Sequence, residues 1–374
     1  CRVVVLEASD GFGGALREIE FGGGFRASPL AGSVGWMPAE VSRGIGLGPL
    51  PRGTSEPTVI ARDGHGEWLE LNRDPVATAA GLRRFSPKDA EGWPAFVTRI
   101  NRLAGFLGLL YTSPAPRLDA SELGEMLTLL KVGRKLRGLG RTEMIELLRT
   151  VPMSVAELLD EWFEGDLLKG VLAADAITDL SQGPLSGGTA FNLLHHQVGG
   201  PAGAVRVSGF PEPIPFVAAL VEAARAAHVE LRTKARVERI LVRDDRVAGV
   251  VLTTGEEIPC RDVVSSLDPY RSLLELVDPV HFDPEFILAV RNIRFRGSVS
   301  KVLVGLDRLP DLPPGFSGAV SVSPSIRYLE KAYDASKYGE PSESPYLEIR
   351  FQSPAAANGA PGPSAVIHVQ YTPY

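Results

Sequence analysis

The first residues of the chain that could do chemistry are Glu7 and the glycines after it. Val3-Val4-Val5-Leu6 is an aliphatic, largely β-branched run that ends in Glu7-Ala8, with Gly11, Gly13 and Gly14 directly beyond. Such a run fits a strand buried on both faces of a parallel sheet. A carboxylate at the C-terminal end of a parallel strand points into the crevice where α/β sheets bind ligands, and it can accept from the two vicinal hydroxyls of a ribose. Glycines just beyond it let backbone come close to a pyrophosphate. The glycine-rich loop that cradles the phosphates is expected about 20 residues upstream of such an acid, whereas six residues precede Glu7. Taken by itself, the segment reads equally as a buried strand followed by an ordinary turn acid.

Other reactive groupings are sparse. Cys1 and Cys260 are the only cysteines, too few for a disulfide framework and not spaced as a zinc site. A cofactor must therefore carry the electrons of any redox reaction. His195 and His196 are adjacent on an expected helix, so their rings diverge by about 100° and suit packing or surface roles better than one shared metal. No metal site is expected. Asp10 reads as a turn residue, and no Ser/His/Asp grouping is placed for hydrolysis. The formal net charge of -6 argues against a nucleic-acid partner, since no basic field collects phosphates. Within residues 123–141, Leu and Met at helical spacing lie beside Lys131, Arg134, Lys135, Arg137 and Arg141. That pattern reads as a basic face touching anionic membrane, or as a solvated helix face, which the helix-weakening Gly133, Gly138 and Gly140 favour.

The elements that must position these residues alternate in character. At 374 residues, with 44% hydrophobic residues, the chain exceeds what one core organises, so two interleaved domains are expected. Residues 22–66 are rich in Gly and Pro and fit short strands and loops. Ser86-Pro87-Lys88-Asp89 supplies an N-cap hydroxyl, a first-turn proline and an acid. The helix it opens carries Trp93, Phe96, Ile100, Leu103 and Leu107, and helices continue to about residue 195. Ser154 with Glu157 forms a capping box for another helix. A helix over 216–227 then leads to strands at 229–232, 237–242, 248–253 and 263–265. Further strands are expected at 298–306, 347–351 and 366–371, the last with nothing after it to pair with. No stretch approaches the roughly 20 apolar residues of a membrane span.

These residues carry a family resemblance. Leu6-Glu7-Ala8 with Gly13-Gly14 resembles the stretch after the dinucleotide motif in the FAD-dependent amine oxidase and phytoene desaturase superfamily, where the acid binds the adenosine ribose and the glycines lie near the diphosphate. A second block, Lys234-Ala235-Arg236-Val237, then Thr254-Gly255-Glu256-Glu257 and Cys260-Arg261-Asp262-Val263-Val264-Ser265-Ser266, is similar to that superfamily's adenine-contacting segment and its following strand. There the residue matching Val237 offers its backbone to the adenine. A third block, Arg296-Gly297-Ser298-Val299-Ser300-Lys301-Val302, resembles the strand of monoamine-oxidase-like enzymes whose lysine holds a water near flavin N5. A cation there can steady charge on the reduced flavin; Lys301 equally reads as a strand lysine facing solvent. Phe85-Ser86-Pro87, Trp93-Pro94-Ala95-Phe96, residues 154–163, Leu194-His195-His196 and Tyr328-Leu329-Glu330-Lys331-Ala332-Tyr333 resemble one subgroup, bacterial phytoene-dehydrogenase-related proteins and the pyridine nucleotide-disulfide oxidoreductase domain-containing protein 2 group.

The resemblance implies an α/β fold: a Rossmann-like FAD-binding domain from residues 1–80 and 196–275, with an inserted α+β substrate domain from 81–195 and 276–374. It implies FAD as cofactor, hydride transfer from a C–H bond of an apolar small molecule to flavin N5, and site residues Glu7, Gly13, Gly14, Val237 and Lys301. The family's phosphate loop, its first strand and its C-terminal part are expected to be missing, so weak or absent FAD binding and inactivity are expected of this chain. The proline-rich Ser208-Gly209-Phe210-Pro211-Glu212-Pro213-Ile214-Pro215 departs from the family's tight glycine turn. A non-catalytic binding or regulatory protein on a flavoprotein scaffold is the alternative, and a nicotinamide-dependent dehydrogenase is disfavoured for want of a second fingerprint. The expected location is cytoplasmic, with peripheral membrane contact open.

Overall fold

The computed structural model describes residues 1–30, 36–48, 58–113, 123–200, 213–295, 297–314, 316, 318–352 and 362–372. Its strands are β1 (Val4–Leu6), β2 (Ile19–Phe21), β3 (Phe25–Ala27), β4 (Val59–Arg62), β5 (Trp68–Leu71), β6 (Glu230–Arg232), β7 (Val237–Arg243), β8 (Arg246–Leu252), β9 (Glu257–Pro259), β10 (Val299–Gly305), β11 (Ala319–Val322), β12 (Leu347–Gln352) and β13 (Ser364–Gln370). Its α-helices are α1 (Ala39–Gly44), α2 (Pro75–Leu82), α3 (Pro87–Tyr111), α4 (Leu123–Gly138), α5 (Gly140–Thr150), α6 (Val155–Asp160), α7 (Asp166–Ile177), α8 (Thr189–His196), α9 (Pro213–Ala226), α10 (Pro284–Arg291) and α11 (Ile326–Lys337). The fold is mixed α/β. The chain divides into two compact units, residues 1–14 with 217–296 and residues 15–216 with 297–374. Compactness and ligand binding divide a chain by different criteria, so these bounds stand beside the expected functional ones without deciding them.

In the smaller unit, β1 runs parallel to β6, pairing Val4 with Glu230 and Leu6 with Arg232. Helix α9 feeds β6 through His228, whose φ of 57° turns the chain. The strands β7, β8 and β9 form an antiparallel sheet. Asp244 and Asp245, at φ 50° and 56°, make the two-residue turn between β7 and β8, matching the two positive φ values of a type I′ hairpin. Two expectations are corrected here. Val3 and Val5 are 42% and 40% exposed rather than buried on both faces, because β1 has one ladder partner among the described residues. Residues 263–265 form no strand: no ladder among the described residues supplies their backbone partners, and Val264 is 99% exposed.

The larger unit holds the main core. Ser86 Oγ accepts from the Asp89 amide at 3.1 Å to start α3, and the apolar stripe Trp93, Phe96, Ile100, Leu103 and Leu107 is buried. Burying each such side chain contributes about 1.5–3 kcal/mol. The carboxylate of Asp89 is itself buried and accepts from the Glu164 and Gly165 amides at 2.8 and 2.9 Å, fixing the entry to α7. The expected capping box is present, with Ser154 and Glu157 bonded reciprocally.

These helices accompany a six-stranded sheet in the order β10-β13-β12-β11-β4-β5, in which β11 and β4 are parallel and the other pairs antiparallel. The expected strand at 366–371 is β13, and it pairs on both edges with strands earlier in the chain, β10 and β12. Its alternation leaves Val366, His368 and Gln370 buried while Ile367 and Val369 are partly exposed. His368 and Gln370 thus place a polar pair on the buried face of β13.

Candidate functional site

Sheet register creates a polar cluster in the larger unit. Lys301 on β10 stands directly opposite His368 on β13, which in turn stands opposite Glu348 on β12. Directly opposed antiparallel residues hold their Cβ atoms about 5 Å apart, within reach of side-chain bonding. Lys301 Nζ lies 2.9 Å from His368 Nδ1, and His368 Nε2 lies 2.9 Å from Gln370 Oε1.

The protonation pattern follows from the far end of this chain of bonds. Gln370 Nε2 donates to the carbonyl oxygens of Ile177 and Leu180, at 2.8 and 2.6 Å, which can only accept. Its Oε1 therefore faces the Asp179 amide, at 3.1 Å, and the histidine. An amide oxygen cannot donate, so His368 carries its proton on Nε2. Nδ1 is left as an acceptor, and the Lys301 ammonium is its donor.

Electrostatics agree with that assignment. His368 is 5% exposed, and burial pushes its pKa below the ordinary value, with the Lys301 charge adding to the shift and the Gln370 bond, Asp179 and Glu348 opposing it. Burial also lowers the Lys301 pKa, opposed by Asp179 and Glu348 and reinforced by Arg350, although the residue as a whole is exposed. Asp179 Oδ1 is 3.8 Å from His368 Nδ1. Its φ of 64° is an uncommon backbone state for a residue other than glycine, tolerated best by Asp and Asn. Glu348 accepts from Tyr346 Oη at 3.2 Å and from Arg350 Nε at 3.0 Å. The cluster can present one oriented ammonium whose proton is shared with a neutral imidazole.

The second candidate region lies in the smaller unit. Glu7 follows β1 immediately, its amide donating to Arg232 O at 2.9 Å and its carbonyl accepting from Ala235 at 2.9 Å. The Ser9 amide and hydroxyl both donate to Glu7 Oε1, at 2.7 and 2.8 Å, which fixes the direction of the carboxylate. Gly13 and Gly14 take φ of 120° and 53°, and a Cβ built on Gly14 would meet nothing within 4 Å. A strand-end carboxylate held by Ser9 is thus followed by glycine backbone, with open space at Gly14. Val237 opens β7 opposite Leu252, with a register shift directly after it. Glu7 and Val237 belong to one compact unit and Lys301 to the other.

Of the other residues singled out in the sequence, His195 and His196 have separate partners. His195 Nδ1 meets Tyr111 Oη at 2.8 Å, and His196 Nδ1 donates to the Asp175 carbonyl at 2.8 Å. The departure expected at 208–215 lies largely outside the described residues. Sequence reasoning missed His368 and Gln370. Their signal was present, since two polar residues occupy alternate positions in the apolar run Ala365-Val366-Ile367-His368-Val369-Gln370.

Comparison with known proteins bears on the family and the fold. The family model for flavin containing amine oxidoreductases matches residues 1–350. The chain is 28% identical over 329 residues to the pyridine nucleotide-disulfide oxidoreductase domain-containing protein 2 of Rattus norvegicus, covering 82% of this chain and 57% of that protein. The Mus musculus protein of the same name is 28% identical over 331 residues, with the same shares of 82% and 57%. The chain thus spans a little over half the length of these relatives. Among solved structures, an oxidoreductase from Methanosarcina mazei is similar with a TM-score of 0.55 at 15% identity, over 99% of this chain and 73% of that one. A double mutant of putrescine oxidase, from a structure-based redesign of cofactor binding, is similar with a TM-score of 0.52 at 12% identity, over 98% of this chain and 70% of that one. These two likenesses show the fold.

Proposed function

The chain belongs to the flavin-containing amine oxidoreductase family, and from that premise we propose that its flavin is FAD and its reaction the oxidation of a C–H bond of an apolar substrate, in the manner of phytoene desaturases. The observation that carries this reading is the placement of Glu7. A carboxylate oriented by Ser9 at the end of a parallel strand, with Gly13 and Gly14 in left-handed or extended positive-φ conformations beyond it, is what an adenosine diphosphate needs.

In this reading Glu7 accepts from the ribose hydroxyls, the Gly13 and Gly14 backbone approaches the diphosphate, and the Val237 backbone faces the adenine. Bound FAD would supply the hydride acceptor, which no side chain of this protein can replace. Lys301 holds its proton at Nζ, oriented by His368, and offers a positive charge toward negative charge that develops on reduction. Residues 1–80 and 196–275 would serve the cofactor, and residues 81–195 and 276–374 the substrate.

The test is anaerobic mixing of the FAD-loaded full-length gene product with an apolar polyene or amine. The reading expects bleaching of the flavin by such a substrate and slower bleaching in Lys301→Met. Bleaching by NADPH alone would overturn it in favour of a nicotinamide-dependent enzyme, and a flavin that no C–H donor reduces would point to a non-catalytic scaffold.

A further inference from the structure

Helices α4 and α5 carry an outward face that the proposed oxidation chemistry does not use. Met126, Leu127 and Leu130 are 54%, 58% and 69% exposed and sit at i, i+1 and i+4, on one side of α4. Arg134 and Arg137, both exposed, continue that side over the next two turns, with Lys131 and Lys135 flanking it. On α5 the corresponding stripe is Arg141, Ile145 and Leu148, at i, i+4 and i+7, the last two 49% and 64% exposed. The two helices join at Gly140, whose φ of 83° turns the chain.

The opposite side of these helices is anchored. Leu147 is buried in the core cluster, and Leu136 and Leu139 pack against it. The exposed stripe is therefore a fixed surface. Among the described residues, Lys131, Arg134, Lys135, Arg137 and Arg141 enter no ion pair, whereas Arg99, Arg102 and Arg149 close by are paired with Glu143, Glu146 and Glu161. Exposed aliphatic side chains interleaved with unpaired cations suit a surface that is apolar just beneath and negatively charged above. An acidic protein partner would satisfy the cations and leave five aliphatic side chains to find a matching hollow.

We propose that the α4–α5 face docks on the surface of an anionic lipid bilayer, with Met126, Leu127, Leu130, Ile145 and Leu148 dipping below the headgroups and the five cations on the phosphates. A protein so placed would meet apolar molecules where they reside. No helix among the described residues is long and apolar enough to cross a membrane, which suits contact from one side.

Cosedimentation with vesicles tests this independently of flavin content or activity. The full-length gene product should bind phosphatidylcholine vesicles containing phosphatidylserine, bind pure phosphatidylcholine vesicles weakly, and lose binding in high salt. Arg134→Glu with Arg137→Glu should weaken binding roughly tenfold or more, since each cation near the surface contributes on that order. Leu127→Ser with Leu130→Ser, which leaves every charge in place, should weaken it too, and both variants should melt like wild type because the changed residues are exposed. Equal binding by the variants, or none by wild type, would overturn the proposal. So would concentration-dependent self-association abolished by Leu127→Ser without vesicle binding, which would assign the face to a second copy of the chain.

Discussion

Lys301 Nζ donates to His368 Nδ1 across 2.9 Å, joining two residues 67 positions apart in sequence and directly opposite in register. The bond has a direction because Gln370 fixes the histidine tautomer from the other side. Protonating His368 would put an N–H where the ammonium points, so the contact exists only while the imidazole is neutral. Nitrogen NMR of labelled histidine should show His368 in the Nε2–H form, titrating below the ordinary histidine range. In Lys301→Met its pKa should rise, since the lysine charge is the second cause of the depression after burial. An Nδ1–H signal, or a pKa that does not respond to Lys301→Met, would contradict the assignment.

The same depression has a consequence for stability. With a folded pKa below the unfolded value of about 6.5, the unfolded chain binds the His368 proton first as pH falls, so this group makes unfolding more favourable below that value. The contribution is complete above the unfolded pKa and is lost as pH drops toward the folded one. Comparing denaturant unfolding of wild type and His368→Gln at about pH 7 and about pH 5, the wild type should lose more stability on acidification than the variant. Equal losses would mean that His368 titrates alike in both states.

Gln370 should be costly to replace. It is fully buried, donates to two carbonyls and accepts from Asp179 and His368. Gln370→Leu removes all four bonds while filling the space, leaving buried donors and acceptors unmet at about 1–3 kcal/mol for each that finds no water. A loss of about 2–5 kcal/mol in urea unfolding is expected, together with a shifted His368 signal. A variant within 0.5 kcal/mol of wild type would show the network to be dispensable.

Asp89 makes a separate structural prediction. Its buried carboxylate takes the Glu164 and Gly165 amides, and a Cβ on Gly165 would stand 2.7 Å from Asp89 Oδ2. Asp89→Ala should cost about 2–4 kcal/mol by leaving two amides without their acceptor. Gly165→Ala should also destabilise by pushing the carboxylate away. Unchanged melting of both variants would contradict the role.

What could be read in the sequence was local. The start of α3 was legible because Ser86, Pro87 and Asp89 lie within one turn, and the capping box at Ser154 and Glu157 likewise spans four residues. The Lys301 cluster was half legible. Its lysine sat in a recognisable strand, but its partner His368 is set by the pairing of β10 with β13, a long-range choice that no local pattern encodes. Residues 263–265 show the opposite failure: the Val263-Val264 pair has strand propensity, yet strand structure needs a ladder partner. Glu7 stood out by its position after a β-branched run, while its orientation depends on Ser9, a neighbour that carried no separate signal.

The central claim is that Glu7 holds the ribose of FAD, and cofactor content tests it most directly. The full-length gene product should be purified as wild type and as Glu7→Ala, supplied with FAD, and its bound flavin measured by absorbance after gel filtration. The account predicts a yellow wild-type protein with stoichiometric FAD. Glu7→Ala should hold it about ten- to a hundredfold more weakly, since hydrogen bonds to a charged acceptor contribute about 1.5–3 kcal/mol. A wild-type protein that takes up no FAD, or a Glu7→Ala variant that binds it as tightly, would contradict the account.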